Sequence, residues 1–166
     1  MSRFLLFSVL AWSAASVLPA ATIIIVRHAE RSSAMSTDAP LSAPGMARAK
    51  LLAQMLRNAG VGRIFVTDLL RMRQTAEPLA TQLHLTPVAV AQNDTEALVN
   101  QLRQLGEKET VLVVAGSTTV PAIVERLGGG PVAAMPDSEY DRLTVLVTGA
   151  DSKTRTVTLR YGEPTE

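Results

Sequence analysis

An arginine, a histidine and a carboxylate stand within four residues, Arg27-His28-Ala29-Glu30, at the end of the apolar run Ile23-Ile24-Ile25-Val26. An imidazole nitrogen can attack phosphorus, and a neighbouring guanidinium can grip phosphoryl oxygens with paired N–H donors. Arg71 and Arg73 follow a second apolar run, at the start of a helical pattern. A guanidinium there joins free backbone N–H groups and the positive end of a helix dipole, which favours an anion. A third run leads into Ala115-Gly116-Ser117-Thr118-Thr119, a small-residue turn whose amides can approach a phosphate. Each feature has a plainer reading: a loop histidine, a solvated helix face, a strand-to-helix connection with Ser and Thr caps. Their common position, at the ends of candidate strands, is where open α/β sheets bind ligands.

Strands and helices alternate along the chain. Apolar, β-branched segments at 23–26, 63–67 and 110–115, with a shorter one at 86–91, read as strands, the longest of them buried on both faces. A helix is expected after Ser42, its N-cap, with Pro44 in the first turn. Ala47, Leu51, Leu52, Met55 and Leu56 recur at helical spacing, and Gly60 closes that helix. Helices are also expected over 70–83, with Pro78 near its start or bending it, over 95–105, and over 120–127 before Gly128-Gly129-Gly130. Segments 142–148 and 154–161, parted by the turn-forming 149–153, predict a hairpin. The expected architecture is an α/β three-layer αβα sandwich, a mostly parallel sheet of about six strands with an antiparallel edge strand.

The 166 residues suffice for one domain with a core. Absence of Cys excludes disulfides, thiolate metal sites and thiol catalysis. The two histidines, His28 and His84, lie in different kinds of segment, so a histidine metal site is not expected. Residues 1–21 read as a secretory signal peptide: Arg3 supplies the positive start, 4–18 is apolar, and Pro19-Ala20-Ala21 offers small residues for cleavage. That apolar stretch is short beside the ~20 residues of a spanning helix, which disfavours an uncleaved anchor or any stable span after signal removal. The expected domain is 22–166, in the periplasm or secreted. Without Arg3, the one charged residue of 1–21, cations and acids balance. With few aromatics besides, this argues against a nucleic-acid partner.

Together these residues resemble the histidine phosphatase superfamily, also called phosphoglycerate mutase-like. Arg27-His28-Ala29-Glu30 is similar to its Arg-His-Gly/Ala signature. Leu41-Ser42-Ala43-Pro44-Gly45 with Arg48-Ala49 resembles a second family segment. Thr67 to Pro78, containing Arg71-Met72-Arg73-Gln74-Thr75-Ala76, is close to its Arg-x-x-Gln-Thr-Ala block, and Glu139-Tyr140-Asp141-Arg142-Leu143 resembles small bacterial members. The resemblance implies that His28 forms a phosphohistidine intermediate with Arg27 and Arg71 as the phosphate clamp, that no cofactor or metal is needed, and that the partner is a phosphorylated small molecule or a phosphoprotein. The mutases' long insertions are absent, so hydrolysis is the expected outcome.

One departure bears on activity. Family members carry a second histidine after the fourth strand, and Gly116 stands there instead. Loss of a preorganised donor costs on the order of 10²–10³ in kcat. Two readings follow: a weakened phosphatase using Ser117 or Thr118 as substitute donors, or a pseudo-phosphatase that binds a phosphoester without turnover. A purely structural domain would leave Arg27, His28 and Arg71 unexplained. Asp94 is a candidate proton donor to the leaving group, with helix capping as its other reading, and Glu30 is a second candidate. His84 reads as a helix-end residue. The loops 31–40 and 128–138 are short, which predicts an open site.

Overall fold

The computed structural model describes residues 20–33, 35–149 and 153–165. Ten elements follow in order: β1 (Ala20–Arg27), α1 (Ala43–Leu56), β2 (Val61–Thr67), α2 (Leu70–Leu83), β3 (Val88–Val90), α3 (Thr95–Arg103), β4 (Thr110–Ala115), α4 (Thr119–Arg126), β5 (Arg142–Gly149) and β6 (Thr154–Arg160). They build one six-stranded sheet in the order β3-β2-β4-β1-β5-β6. β1, β2, β3 and β4 pair in parallel. The hairpin β5–β6 forms the antiparallel edge, with β5 running against β1. This is the expected α/β sandwich.

The two-residue period of the strands divides the core. Ile23 and Ile25 of β1, with Val111, Val113 and Ala115 of β4, pack with α3 and α4 on one face. Ile24 and Val26, with Leu112 and Val114, pack with α1 and α2 on the other. Central strands covered on both faces have no solvent side, so their sequences read as unbroken apolar runs.

Several boundaries differ from the sequence reading. β1 begins at Ala20, inside the expected signal segment, because Ala20 and Ala21 continue the pairing with Gly149 and Thr148. Residues 1–19 of that segment lie outside the described residues. β2 starts at Val61, with a register irregularity between Val61 and Arg63 that hides its first residues from a period-2 reading. β3 spans only Val88–Val90; Pro87 before it has no N–H for the ladder. Pro78 sits in the interior of α2. The Ser42 cap of α1 forms as expected, its Oγ accepting the Gly45 N–H at 3.2 Å. Among the described residues no helix is long and apolar enough to cross a membrane.

Candidate active site

The carboxyl ends of β1 and β4 lie side by side, with Arg27 in register with Ala115. The ladder continues one step further, since the His28 N–H donates to the Ala115 carbonyl at 3.0 Å. The chain then leaves the sheet, and the signature residues project from its end. Thr75 of α2 pins this turn. Its Oγ1 accepts the Ala29 N–H at 3.0 Å and donates to the Arg71 carbonyl at 2.7 Å. One hydroxyl thus couples the histidine turn to the helix that carries Arg71. Glu30 points away, its Oε1 2.9 Å from Arg48 Nε. Arg48 in turn donates to the Tyr161 and Glu163 carbonyls, which fastens α1 to the end of the chain.

Arg27 is only 2% exposed. Its Nη1 donates to the carbonyls of Pro136, Asp137 and Glu139 at 2.8, 3.1 and 2.9 Å. Its guanidinium carbon stands 4.3 Å over the Tyr140 ring, a cation–π distance. Nη2 makes a loose 3.7 Å approach to the exposed carboxylate of Asp137, and the buried Nε has no partner. Arg71 donates from Nη1 to the Thr37 carbonyl at 2.9 Å, and its buried Nε is also unpartnered. Burial draws both arginines below the ordinary arginine pKa, yet a guanidinium stays protonated. The segment 133–142 that holds Arg27 is itself braced. Glu139 accepts from Arg142 Nε at 2.6 Å and from Arg160 Nη1 at 2.8 Å, while Arg142 Nη1 donates to the Ala133 carbonyl at 2.6 Å.

His28 lies 2.7 Å through Nδ1 from its neighbour's carbonyl, Ala29 O. A carbonyl only accepts, so Nδ1 carries the proton and Nε2 holds the lone pair. Burial, then the charges of Arg27, Arg71 and Arg31, push the His28 pKa from 6.5 down to about 4, against the Ala29 hydrogen bond. The imidazole is therefore neutral at physiological pH and its Nε2 is free to act as a nucleophile.

The structure brings Arg27, His28 and Arg71 together and adds two residues the sequence reading did not name for the site. Arg31 acts electrostatically on His28, Arg27 and Arg71 alike, and Tyr140 packs beneath Arg27 with its ring 5.9 Å from the imidazole. Arg31 directly follows the signature, so its adjacency was the available signal; Tyr140 lies inside 139–143, where the sequence carries a resemblance but no role for the residue. The two loops also come closer than expected. Thr37 holds Arg71 and Pro136–Glu139 hold Arg27, which leaves His28 4% exposed where an open site was predicted.

Gly116 lies beside His28 at the end of β4. A Cβ built there would meet Thr119 Oγ1 at 3.7 Å and Met72 Cε at 3.9 Å, both ordinary contacts. Ser117 is half-buried in the following turn, where the Thr119 and Val120 N–H groups return to the Gly116 carbonyl. No side chain caps α4, leaving its first amides without the Ser or Thr cap expected there. Asp94 is the N-cap of α3, its Oδ1 accepting the Ala97 N–H at 2.9 Å. His84 is the exposed C-cap of α2, in the left-handed region at φ 55°.

The sequence profile of the histidine phosphatase superfamily (branch 1) matches residues 23–94, a span that contains His28 and Arg71 and stops short of Gly116. Proteins of Yersinia pestis and Yersinia pseudotuberculosis named "Probable phosphoglycerate mutase GpmB" are 38% identical over 72 residues, 40% of this chain and 34% of theirs. The match thus spans about a third of those relatives' length. The protein histidine phosphatase SixA complexed with tungstate superposes at a TM-score of 0.66 and 20% identity, over 84% of this chain and 96% of that one. A structure described as mycobacterial hydrolase 1 gives 0.68 and 14%, over 87% and 99%. Mycobacterial glucosyl-3-phosphoglycerate phosphatase gives 0.61 and 16%, over 86% and 98%. At these identities the structural likeness is one of fold.

Proposed function

This chain belongs to the histidine phosphatase superfamily, and we propose that it is a phosphomonoester hydrolase acting through a phosphohistidine on His28. The observation that carries this is the neutral, buried imidazole, tied at Nδ1 to a backbone carbonyl and surrounded by three arginines. Nε2 attacks phosphorus, the bond to the leaving oxygen breaks, and Arg27 and Arg71 hold the equatorial oxygens where charge accumulates. The unpartnered Nε donors of both arginines are groups whose burial is costly until an anion arrives. The exposed Asp137 carboxylate, loosely held by Arg27, is what an incoming phosphate displaces. Water then releases phosphate from His28.

The substrate is a phosphorylated small molecule or a phosphoprotein. Two fold neighbours, by name a protein histidine phosphatase and a glucosyl-3-phosphoglycerate phosphatase, frame that range. Export to the periplasm or beyond is part of the proposal and rests on residues 1–21. N-terminal sequencing of the mature protein tests it, and a cut after residue 19 would keep β1 whole.

The test is hydrolysis of p-nitrophenyl phosphate by the full chain beside His28→Ala, with trapping of an acid-labile phosphoenzyme. Turnover that vanishes with His28 supports the reading; equal turnover in the variant sinks it. Gly116 favours a second reading, a phospholigand binder without turnover. Calorimetry with tungstate or vanadate decides for it when saturable binding, lost in Arg71→Ala, accompanies a silent activity assay.

A further inference from the structure

With glycine at the end of β4, the leaving atom still needs a proton. Asp94 is engaged as the cap of α3 and Glu30 is paired with Arg48 at 2.8 Å. Tyr140 is differently placed. Its ring lies 4.3 Å beneath the Arg27 guanidinium and 5.9 Å from His28, tilted by 57°. It is half-buried. Its backbone is fixed from both sides: the Tyr140 N–H donates to Thr165 Oγ1 at 2.8 Å, and neighbouring Glu139 is locked by Arg142 and Arg160. That anchorage places the ring against Arg27 and beside His28.

We infer that Tyr140 is the proton donor of this site, its hydroxyl protonating the leaving atom while His28 takes the phosphoryl group. This deepens the hydrolase reading and rests on it. As the Nε2–P bond forms and the P–O bond to the leaving group breaks, the phenolic proton passes to the departing oxygen and a phenolate remains. Arg27 stands against that phenolate. Burial lowers both arginines, and a negative charge on the Tyr140 oxygen raises Arg27 and Arg71, so both guanidiniums favour the phenolate over the phenol. The water that cleaves the phosphohistidine returns a proton to the phenolate, and Tyr140 ends the cycle as it began.

The experiment compares two leaving groups in the full chain and in Tyr140→Phe, which keeps the ring under Arg27 and removes only the hydroxyl. An alkyl phosphate, whose alkoxide needs a proton, is expected to lose about 10²-fold in kcat, within the range of general-acid catalysis. p-Nitrophenyl phosphate, whose phenolate departs unaided, is expected to lose less than about threefold. Equal losses on both substrates, or none on either, overturn the assignment. Should the parent be silent, the pair of substrates is read in Gly116→His and in Gly116→His/Tyr140→Phe. Calorimetry with tungstate adds an arm free of turnover: removal of a hydroxyl that reaches the oxyanion weakens binding about tenfold, and unchanged affinity counts against Tyr140. Loss of activity in His28→Ala with identical kinetics in Tyr140→Phe defeats this inference alone; activity that survives His28→Ala defeats the hydrolase reading instead.

Discussion

β1 and β4 are parallel neighbours whose last residues, Arg27 and Ala115, stand in register, yet the two strand ends are built in opposite ways. At the end of β1, Arg27 is held by three carbonyls of a distant segment, His28 by its neighbour's carbonyl and the turn by Thr75. At the end of β4, Gly116 has no side chain and an added Cβ finds only ordinary contacts. At the β1 end the candidate site residues are also tied into the structure; at the β4 end a side chain can be added while the scaffold stays.

The largest test of that contrast is Gly116→His. Restoring a donor opposite His28 should raise kcat on an aryl phosphate by roughly 10²–10³, measured beside the parent under saturating substrate. A variant that folds and gains nothing would mean the β4 end is not simply disarmed. Arg27→Met attacks the other end. It strands three backbone acceptors and should cost about 3 kcal/mol in urea unfolding, beyond any effect on phosphate binding. An unchanged midpoint would show that Arg27 is a clamp only.

The pH dependence of stability sharpens the same end. The His28 pKa falls from 6.5 to about 4 on folding. Below pH 6.5 the unfolded chain gains a proton that the native site refuses until about pH 4. Stability contributed by the neutral imidazole is therefore present above pH 6.5 and lost as pH falls toward 4, by roughly 3 kcal/mol. His28→Asn should lack this component, so the parent loses stability relative to the variant on acidification; parallel curves from pH 7 to 4 would refute the buried, neutral state. Smallest of all, Gly116→Ala should stabilise by about 0.4–1 kcal/mol through the unfolded chain, since the backbone there is outside the left-handed region. A destabilised Gly116→Ala would mean the β4 end is packed more tightly than its contacts indicate.

Much of this was legible beforehand. The strand–helix alternation followed from apolar period and length, and Ser42, Pro44 and the Gly128 stop followed from turn and cap chemistry. His28, Arg27 and Arg71 were legible because each sits at the end of a strand or the start of a helix, within a short contiguous motif. Asp94 could be read as cap or acid, and a single residue type serves both. Tyr140 was not readable as a site residue, because nothing local shows that the segment before β5 folds back over β1. Arg31 was similarly hidden, since a cation in a polar loop looks solvated until its neighbours are known.

By itself the sequence determined the kinds of groups available: a histidine and no cysteine, two arginines placed to meet an anion, a glycine where the family resemblance leads one to expect a second imidazole, and a sheet whose strand ends would carry them. Those are properties of residue type and short-range spacing. The tertiary structure alone decided that His28 is desolvated and neutral, that its Nδ1 rather than Nε2 is occupied, that two loops close on the arginines, and that a phenol lies beneath Arg27. Desolvation, tautomer and convergence depend on what is packed around a side chain, and the packing comes from segments far apart in the chain.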